Sequence, residues 1–304
     1  MADLTTANVK STAVQSFYEG LISPNDRVIT DVCQYHDTDA AALRIAALTG
    51  IGDPTAWSGD LPTAAVSSTG AVTANYAAYG LSVELNPYDI RDIPDLVSMS
   101  AMKLGRSVAN QRAKLAFALL ANLFDDTAGT ADGEGVCANT HTTAAGTNRS
   151  NYMSTALDIS SFSAAITKIR QWVNFQNQAY DWADVKKYLI VPPALEQIGR
   201  QILGSPYQLT TVATSGAPAQ GLMNTSGLYN TELIVDVYAT DANNWALVAE
   251  PAFGNPFHFW DRAKPDFHVL VEDQDSLKTK LRVTYASKAI AGPQPDGVMG
   301  ASVS

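Results

Sequence analysis

Four histidines are the side chains of this sequence best suited to binding a metal or moving a proton, and their placement suits neither task. His36, His141, His258 and His268 form no H-x-H or H-x-x-x-H pair and stand in unrelated contexts, so no metal cluster is legible. Cys33 and Cys137 lie far apart, which fits neither a disulfide framework nor a zinc site; two buried free thiols are expected. Carboxylates that could pair as general acid and base, Asp37 with Asp39 and Glu272 with Asp273 and Asp275, fall at a helix start or in a polar turn, where acids are ordinarily solvated. The D-G-E-G turn at 132–135 lacks the Lys-Ser/Thr pair of a phosphate loop and the spaced carboxylates of a calcium loop, and reads as structural. No Gly-x-Ser-x-Gly elbow, Walker loop or dinucleotide fingerprint occurs. The cluster Phe257, His258, Phe259, Trp260 could stack on a sugar or base, but aromatics so grouped more often fill a buried strand or an interface. The expectation is a protein with no catalytic residues, no cofactor and no metal.

Composition points instead to surfaces. The 304 residues are 46% hydrophobic, enough for a substantial core, yet only 16% are charged, against about 25% in an average soluble domain. A surface so poor in charge suits burial against other subunits. The net charge is −10 with no run of Lys or Arg, which disfavours sequence-specific or groove binding of nucleic acid. An acidic container could still enclose nucleic acid without gripping it. No signal peptide and no 18-residue apolar run is apparent, so neither secretion nor a membrane span is expected.

The elements that would position any site follow from periodicity. Short helical patterns cover 8–21 and 38–48, the second with a capping candidate at Thr38 and a stop before Gly50. Residues 52–84 turn to Thr, Ser, Ala and Gly with Trp57, Tyr76 and Tyr79, and 63–66 and 71–76 read as two arms of a hairpin. Such a hairpin is marginal alone, so it is expected either to lie on another chain, with Trp57, Tyr76 and Tyr79 as the intersubunit contacts, or to pack as a surface loop on its own domain. A long helix spans 94–124, with Pro94 at its first position, an apolar stripe from Val97 to Leu123, and Lys103, Arg106, Asn110 and Lys114 opposite. An irregular excursion follows at 125–152. An α/β block then comprises a helix at 160–174, a buried strand at 187–191, a helix at 193–203, a loop at 204–227, and strands at 232–238 and 245–249. Strands at 267–272 and 277–286, joined by an acidic turn, precede a Gly and Pro-rich tail.

Four segments carry a resemblance to a known family. Tyr79-Gly80-Leu81-Ser82-Val83-Glu84-Leu85 resembles the return of an extended loop to a spine helix. Tyr188-Leu189-Ile190-Val191-Pro192-Pro193-Ala194-Leu195 resembles the strand and helix start of an axial domain. Trp245-Ala246-Leu247-Val248-Ala249-Glu250-Pro251 resembles the strand ending that domain, and the 278–285 strand with Ala289 and Ile290 a closing peripheral strand. In this order they resemble the major capsid proteins of tailed double-stranded DNA phages. The resemblance implies an α+β, Hong Kong 97-type fold. It would be divided into an N-terminal arm (1–50), an extended β-hairpin loop (51–84), a peripheral domain with the spine helix (85–154), an axial α/β domain (155–265), and closing peripheral strands with a tail (266–304). It implies a non-enzymatic subunit that self-assembles into hexamers and pentamers of an icosahedral virion capsid, enclosing packaged DNA without sequence-specific binding. Partners would be further copies of itself, a scaffolding protein, a portal and a decoration protein, with assembly in the host cytoplasm and no membrane. No lysine lies between Lys10 and Lys103, so the lysine crosslink that welds some family shells is not expected. Met1 favours a separate scaffolding protein. An encapsulin-like compartment shell is the alternative.

Overall fold

The computed structural model describes residues 2–22, 27–48, 68–93, 95–125, 130, 132–143, 146–174, 179, 181–204, 229–251, 256–271 and 278–303. Its spine is helix α3. Before it come α1 (Ala2–Leu21), strands β1 (Gln34–Asp37), β2 (Ala42–Leu48), β3 (Ser68–Asn75) and β4 (Ala77–Leu85), and the short α2 (Pro87–Asp92). The α3 helix itself runs Leu96–Ala121, 26 residues, about 39 Å at 1.5 Å per residue. Its buried side chains recur at helical spacing, from Val97, Ala101, Leu104 and Val108 to Ala113, Phe117 and Leu120. Pro94, expected at the helix start, lies outside the described residues.

Two sheets take opposite ends of that stripe. After the two-residue strands β5 (His141–Thr142), β6 (Asn148–Arg149) and β7 (Tyr152–Met153) come α4 (Ile159–Arg170), β8 (Lys187–Val191), a 3₁₀ turn at Pro193–Leu195, α5 (Glu196–Gly204), β9 (Thr231–Val235) and β10 (Trp245–Ala249). The chain closes with β11 (Phe257–Val271), β12 (Thr279–Ala291) and β13 (Val298–Ala301). The first sheet has the order β1-β11-β12-β4. Leu281, Val283 and Tyr285 of β12 and Phe267 of β11 face the first half of α3, where Val97, Leu104 and Val108 meet them together with Ala13 and Phe17 of α1. The second half of α3 carries Ala113, Phe117 and Leu120 into another core with Phe257 and Phe259, Tyr188 and Ile190, and Val248.

The second sheet, β7-β13-β10-β8-β9, is covered on both faces. Tyr188, Ile190, Ala246, Val248 and Val298 face the α3 core, while Leu189, Val191, Leu247 and Met299 face Phe162, Ile166 and Ile169 of α4 and Ile202 of α5. This explains the uninterrupted runs KYLIV and WALVA, in which every residue is buried. Helix α4 begins in a capping box in which the Asp158 carboxylate accepts from the Ser161 amide and the Ser161 hydroxyl accepts from the Asp158 amide.

Several expectations are corrected. The segment 38–48, expected as a helix, contains strand β2, paired antiparallel with β3 in the register Leu43 to Ala74 and Ile45 to Val72. Its Ala and Leu favour a helix in isolation, and the cross-strand apolar pairs override that preference. The expected hairpin arm 71–76 is a strand, but its partner is β2; the other expected arm, 63–66, lies outside the described residues. The N-terminal helix is no arm without support of its own, because Ala13 and Phe17 are fully buried and Phe17 stacks on Phe267 at 4.6 Å. The end of the chain is no simple tail, since all four residues of β13 are buried beside β10 in the second sheet. Strand β11 runs continuously through Pro265, and its pairing with β12 carries register shifts between Asp261 and Asp266.

Candidate assembly interface

Strands β2 and β3 form a two-stranded ribbon separate from both main sheets. Arg44 and Ala46, and across from them Ala71, Thr73 and Asn75, are exposed; Leu43, Ile45 and Val72 are only half-buried. A ribbon of this kind is marginal without a second surface. At its base the chain passes through Tyr76 into β4. Tyr76 is 41% exposed, meets Trp260 edge-on at 6.5 Å and lies beneath the Arg262 guanidinium at 4.0 Å. Tyr79 is half-buried and stacks on Tyr285 at 5.2 Å. Each of these two expected contact residues is thus anchored within its own chain, with part of the Tyr76 ring open. Trp57 lies outside the described residues.

Beside the ribbon's base, an open groove of about 520 Å³ runs between β4 and α3, lined by Tyr79, Leu81, Tyr285, Lys103, Arg106 and Lys114 among others. This is where the cationic stripe read from the sequence comes to lie. Periodicity identified the stripe, but nothing in the sequence showed that β4 would wall it.

Among the described residues, the buried ionisable side chains join elements of the fold to one another. Asp261 is wholly buried and accepts hydrogen bonds from Tyr35 Oη at 2.8 Å, Ser287 Oγ at 2.5 Å and the Arg112 guanidinium at 2.5 Å. It ties β1, α3, β11 and β12 together. His36 Nε2 and His258 Nδ1 are 2.9 Å apart; burial and then the charge of His36 lower the His258 pKa to about 4, and burial lowers that of His36. His141 is buried with Nδ1 2.8 Å from Asp132. Burial works to raise the Asp132 pKa, but hydrogen bonds from His141 and Thr130 outweigh it and hold the pKa at about 2. The D-G-E-G turn therefore serves as a structural corner, with Gly133 at φ 85°. His268 is exposed beside Asp266. Arg149 and Trp172 both bind the buried Asp296, whose pKa burial raises.

Cys33 and Cys137 are free and buried; burial pushes the Cys33 thiol up to about 12 and also raises that of Cys137. The cluster Phe257 to Trp260 is a buried stretch of β11. Among the described residues no three metal-ligating side chains converge, and no helix is long and apolar enough to cross a membrane.

Comparison with known proteins gives this architecture a family. No curated protein matches the sequence. The chain is similar in structure to the capsid of cyanophage P-SCSP1u, with a TM-score of 0.56 and 10% identity over 91% of this chain and 88% of that one. It is similar to the capsid of an empty GTA particle, with a TM-score of 0.54 and 11% identity over 93% and 91%. It is also similar to a virus-like particle from Pyrococcus furiosus, with a TM-score of 0.55 and 10% identity over 96% and 98%. Identities this low carry the fold alone. The sequence profile described as phage capsid protein, however, matches residues 77–299, from the first residue of β4 into β13. This chain therefore belongs to the phage capsid protein family, and its fold is of the Hong Kong 97 type.

Proposed function

We propose that the chain forms the hexamers and pentamers of an icosahedral shell around packaged double-stranded DNA, and that the β2–β3 ribbon lies across a neighbouring copy with Trp57, Tyr76 and Tyr79 at the contact. The observation that carries this reading is the ribbon itself: two strands paired only with each other, with Arg44, Ala46, Ala71, Thr73 and Asn75 exposed, an arrangement that is marginal in water without a second surface. The β1-β11-β12-β4 sheet with α3 acts as the peripheral domain and the β7-β13-β10-β8-β9 sheet with α4 and α5 as the axial domain. The subunit acts as material and not as a catalyst. Scaffolding, portal and decoration proteins complete the particle in the host cytoplasm, and the want of lysine between Lys10 and Lys103 makes a decoration protein the substitute for a lysine weld.

An enzyme-holding compartment is the weaker reading. The virus-like particle matches the fold no better than the cyanophage capsid does, and the profile that matches the sequence is that of phage capsids. The test is to replace residues 46–71 with a short Gly-Ser turn. A folded subunit that no longer sediments as shells supports the reading; normal shells from the shortened chain refute it.

A further inference from the structure

The corner between β4 and α3 is stiff and uncovered. Helix α2 opens on Pro87, the Asn86 side chain accepts from the Tyr88 amide, and the Ile93 amide donates to the Asp89 carbonyl. No residue of α2 is buried; Tyr88 is 74% exposed and Ile93 just beyond it 49%. Around them stand Asp89, Asp92 and Asp95, all exposed. An aromatic and an aliphatic side chain held out on a capped turn have the make-up of interface anchors, and the carboxylates would form their polar rim.

The groove between β4 and α3 is the converse surface. In a chain with 30 acidic residues, none falls between Leu96 and Ala121. Arg112 pairs with the buried Asp261 and Lys114 lies over the Tyr238 ring, which leaves Lys103 and Arg106 exposed on a wall with no acidic lining residue among those described. The facing wall is aromatic and apolar, with Tyr79 stacked on Tyr285 and Leu81 47% exposed. Its volume of about 520 Å³ falls in the range of pockets that enclose a few side chains.

The corner does not fill the groove of its own chain. No residue of α2 lines it, and among the described residues neither the three carboxylates nor Lys103 and Arg106 have an ion-pair partner. Asp95 precedes Lys103 by eight residues, about 12 Å along the helix axis. Each surface thus lacks the partner that the other offers.

We propose that the groove of one copy seats the α2 corner of a second copy, with Tyr88 and Ile93 against Leu81 and Tyr79, and Asp89 and Asp92 against Lys103 and Arg106. The inference rests on the self-assembling reading above and deepens it. The two surfaces differ, so the contact is heterologous, and its repetition about an axis closes a ring. A six-residue helix covers less than the roughly 800 Å² per partner of a stable interface; the contact therefore sets the register of an interface that the β2–β3 ribbon enlarges.

The tests use the full chain. Variant one carries Lys103→Glu and Arg106→Glu, variant two carries Asp89→Lys and Asp92→Lys, and variant three carries all four. Circular dichroism checks folding, and sedimentation reads shells. Each of the first two is expected to yield fewer shells by about tenfold or more, as like charges brought together at an interface do, and variant three is expected to recover them. A fourth variant, Leu81→Cys with Tyr88→Cys, is expected to give disulfide-linked multimers when its shells are oxidised, since that bond requires Cα atoms within about 7 Å, and only monomers when it is oxidised after the shells are dissociated. Unchanged shells in variant one or two, no recovery in variant three with folding intact, or shells of the fourth variant that stay unlinked overturn the proposal. Normal shells that hold less DNA in variant one overturn it in favour of a nucleic-acid face. A chain that never leaves the monomer overturns this contact together with the assembly reading, whereas shells that form without the contact overturn the contact alone.

Discussion

The backbones of Gly20 in α1 and Gly105 in α3 are in direct contact: a Cβ on Gly20 would overlap the carbonyl oxygen of Met102, and a Cβ on Gly105 the carbonyl oxygen of Phe17. This crossing lets α1 settle deeply enough for Phe17 to reach Phe267. In an exposed helix, Gly→Ala stabilises by about 1 kcal/mol. Here the sign reverses, and Gly105→Ala is expected to cost about 1–3 kcal/mol through overpacking. Thermal unfolding of the subunit measures the loss, and faster protease cleavage within α1 localises it.

Asp261 holds four elements through one buried carboxylate. Asp261→Ala leaves Arg112 uncompensated beneath Phe259 and is expected to cost about 3–5 kcal/mol. Tyr35→Phe removes one hydrogen bond to the carboxylate and is expected to cost about 1–2 kcal/mol. Denaturant unfolding of the two variants should keep that order; equal losses would show that the node is not the fastening of β1.

The histidine pair sets an acid limit. His258 is held neutral with a pKa of about 4, below its value of about 6.5 when unfolded. Its lowered pKa means that the unfolded chain binds the proton first. Stability is therefore full above about pH 6.5 and falls as the pH drops towards 4, by roughly 2–3 kcal/mol. His258→Gln should flatten that slope in a series of unfolding curves from pH 7 to pH 4.

Asp236 has the opposite sign. It is 4% exposed beside a small cavity between the end of α3 and β8 and β10, and burial raises its pKa to about 6 although the Tyr238 and Ala239 amides counter it. A raised carboxyl favours the protonated fold, so its contribution is present below about pH 4 and is lost as the pH rises through about 6. Asp236→Asn is expected to stabilise the subunit at pH 7 by about 1–3 kcal/mol and to change little at pH 4, as read from melting temperatures at the two pH values.

The parts legible in the sequence were those written in local periodicity. The strands 187–191 and 245–249 announced themselves as unbroken apolar runs because both faces of their sheet are covered, and α3 did so through its stripe. The strand β2 was not legible: A-L-R-I-A-A-L is a good helix sequence, and only Val72 and Ala74, far along the chain, decide otherwise. The buried end strand β13 was equally hidden, since V-M-G-A needs Gly300 to pass close to Cys137 and Phe124, a contact invisible to spacing. The cationic stripe could be read from spacing, whereas the groove that joins Lys103 to Tyr79 exists only once β4 packs on the helix.

On the proposed reading this subunit becomes stable in company, through a ribbon that meets neighbouring copies. Electron microscopy of the purified protein, with sedimentation of the same sample, tests it most directly. Closed shells of uniform size, absent when residues 46–71 are replaced, are the predicted result. An unaltered chain that remains a compact monomer at high concentration, with the ribbon resistant to protease, would contradict it.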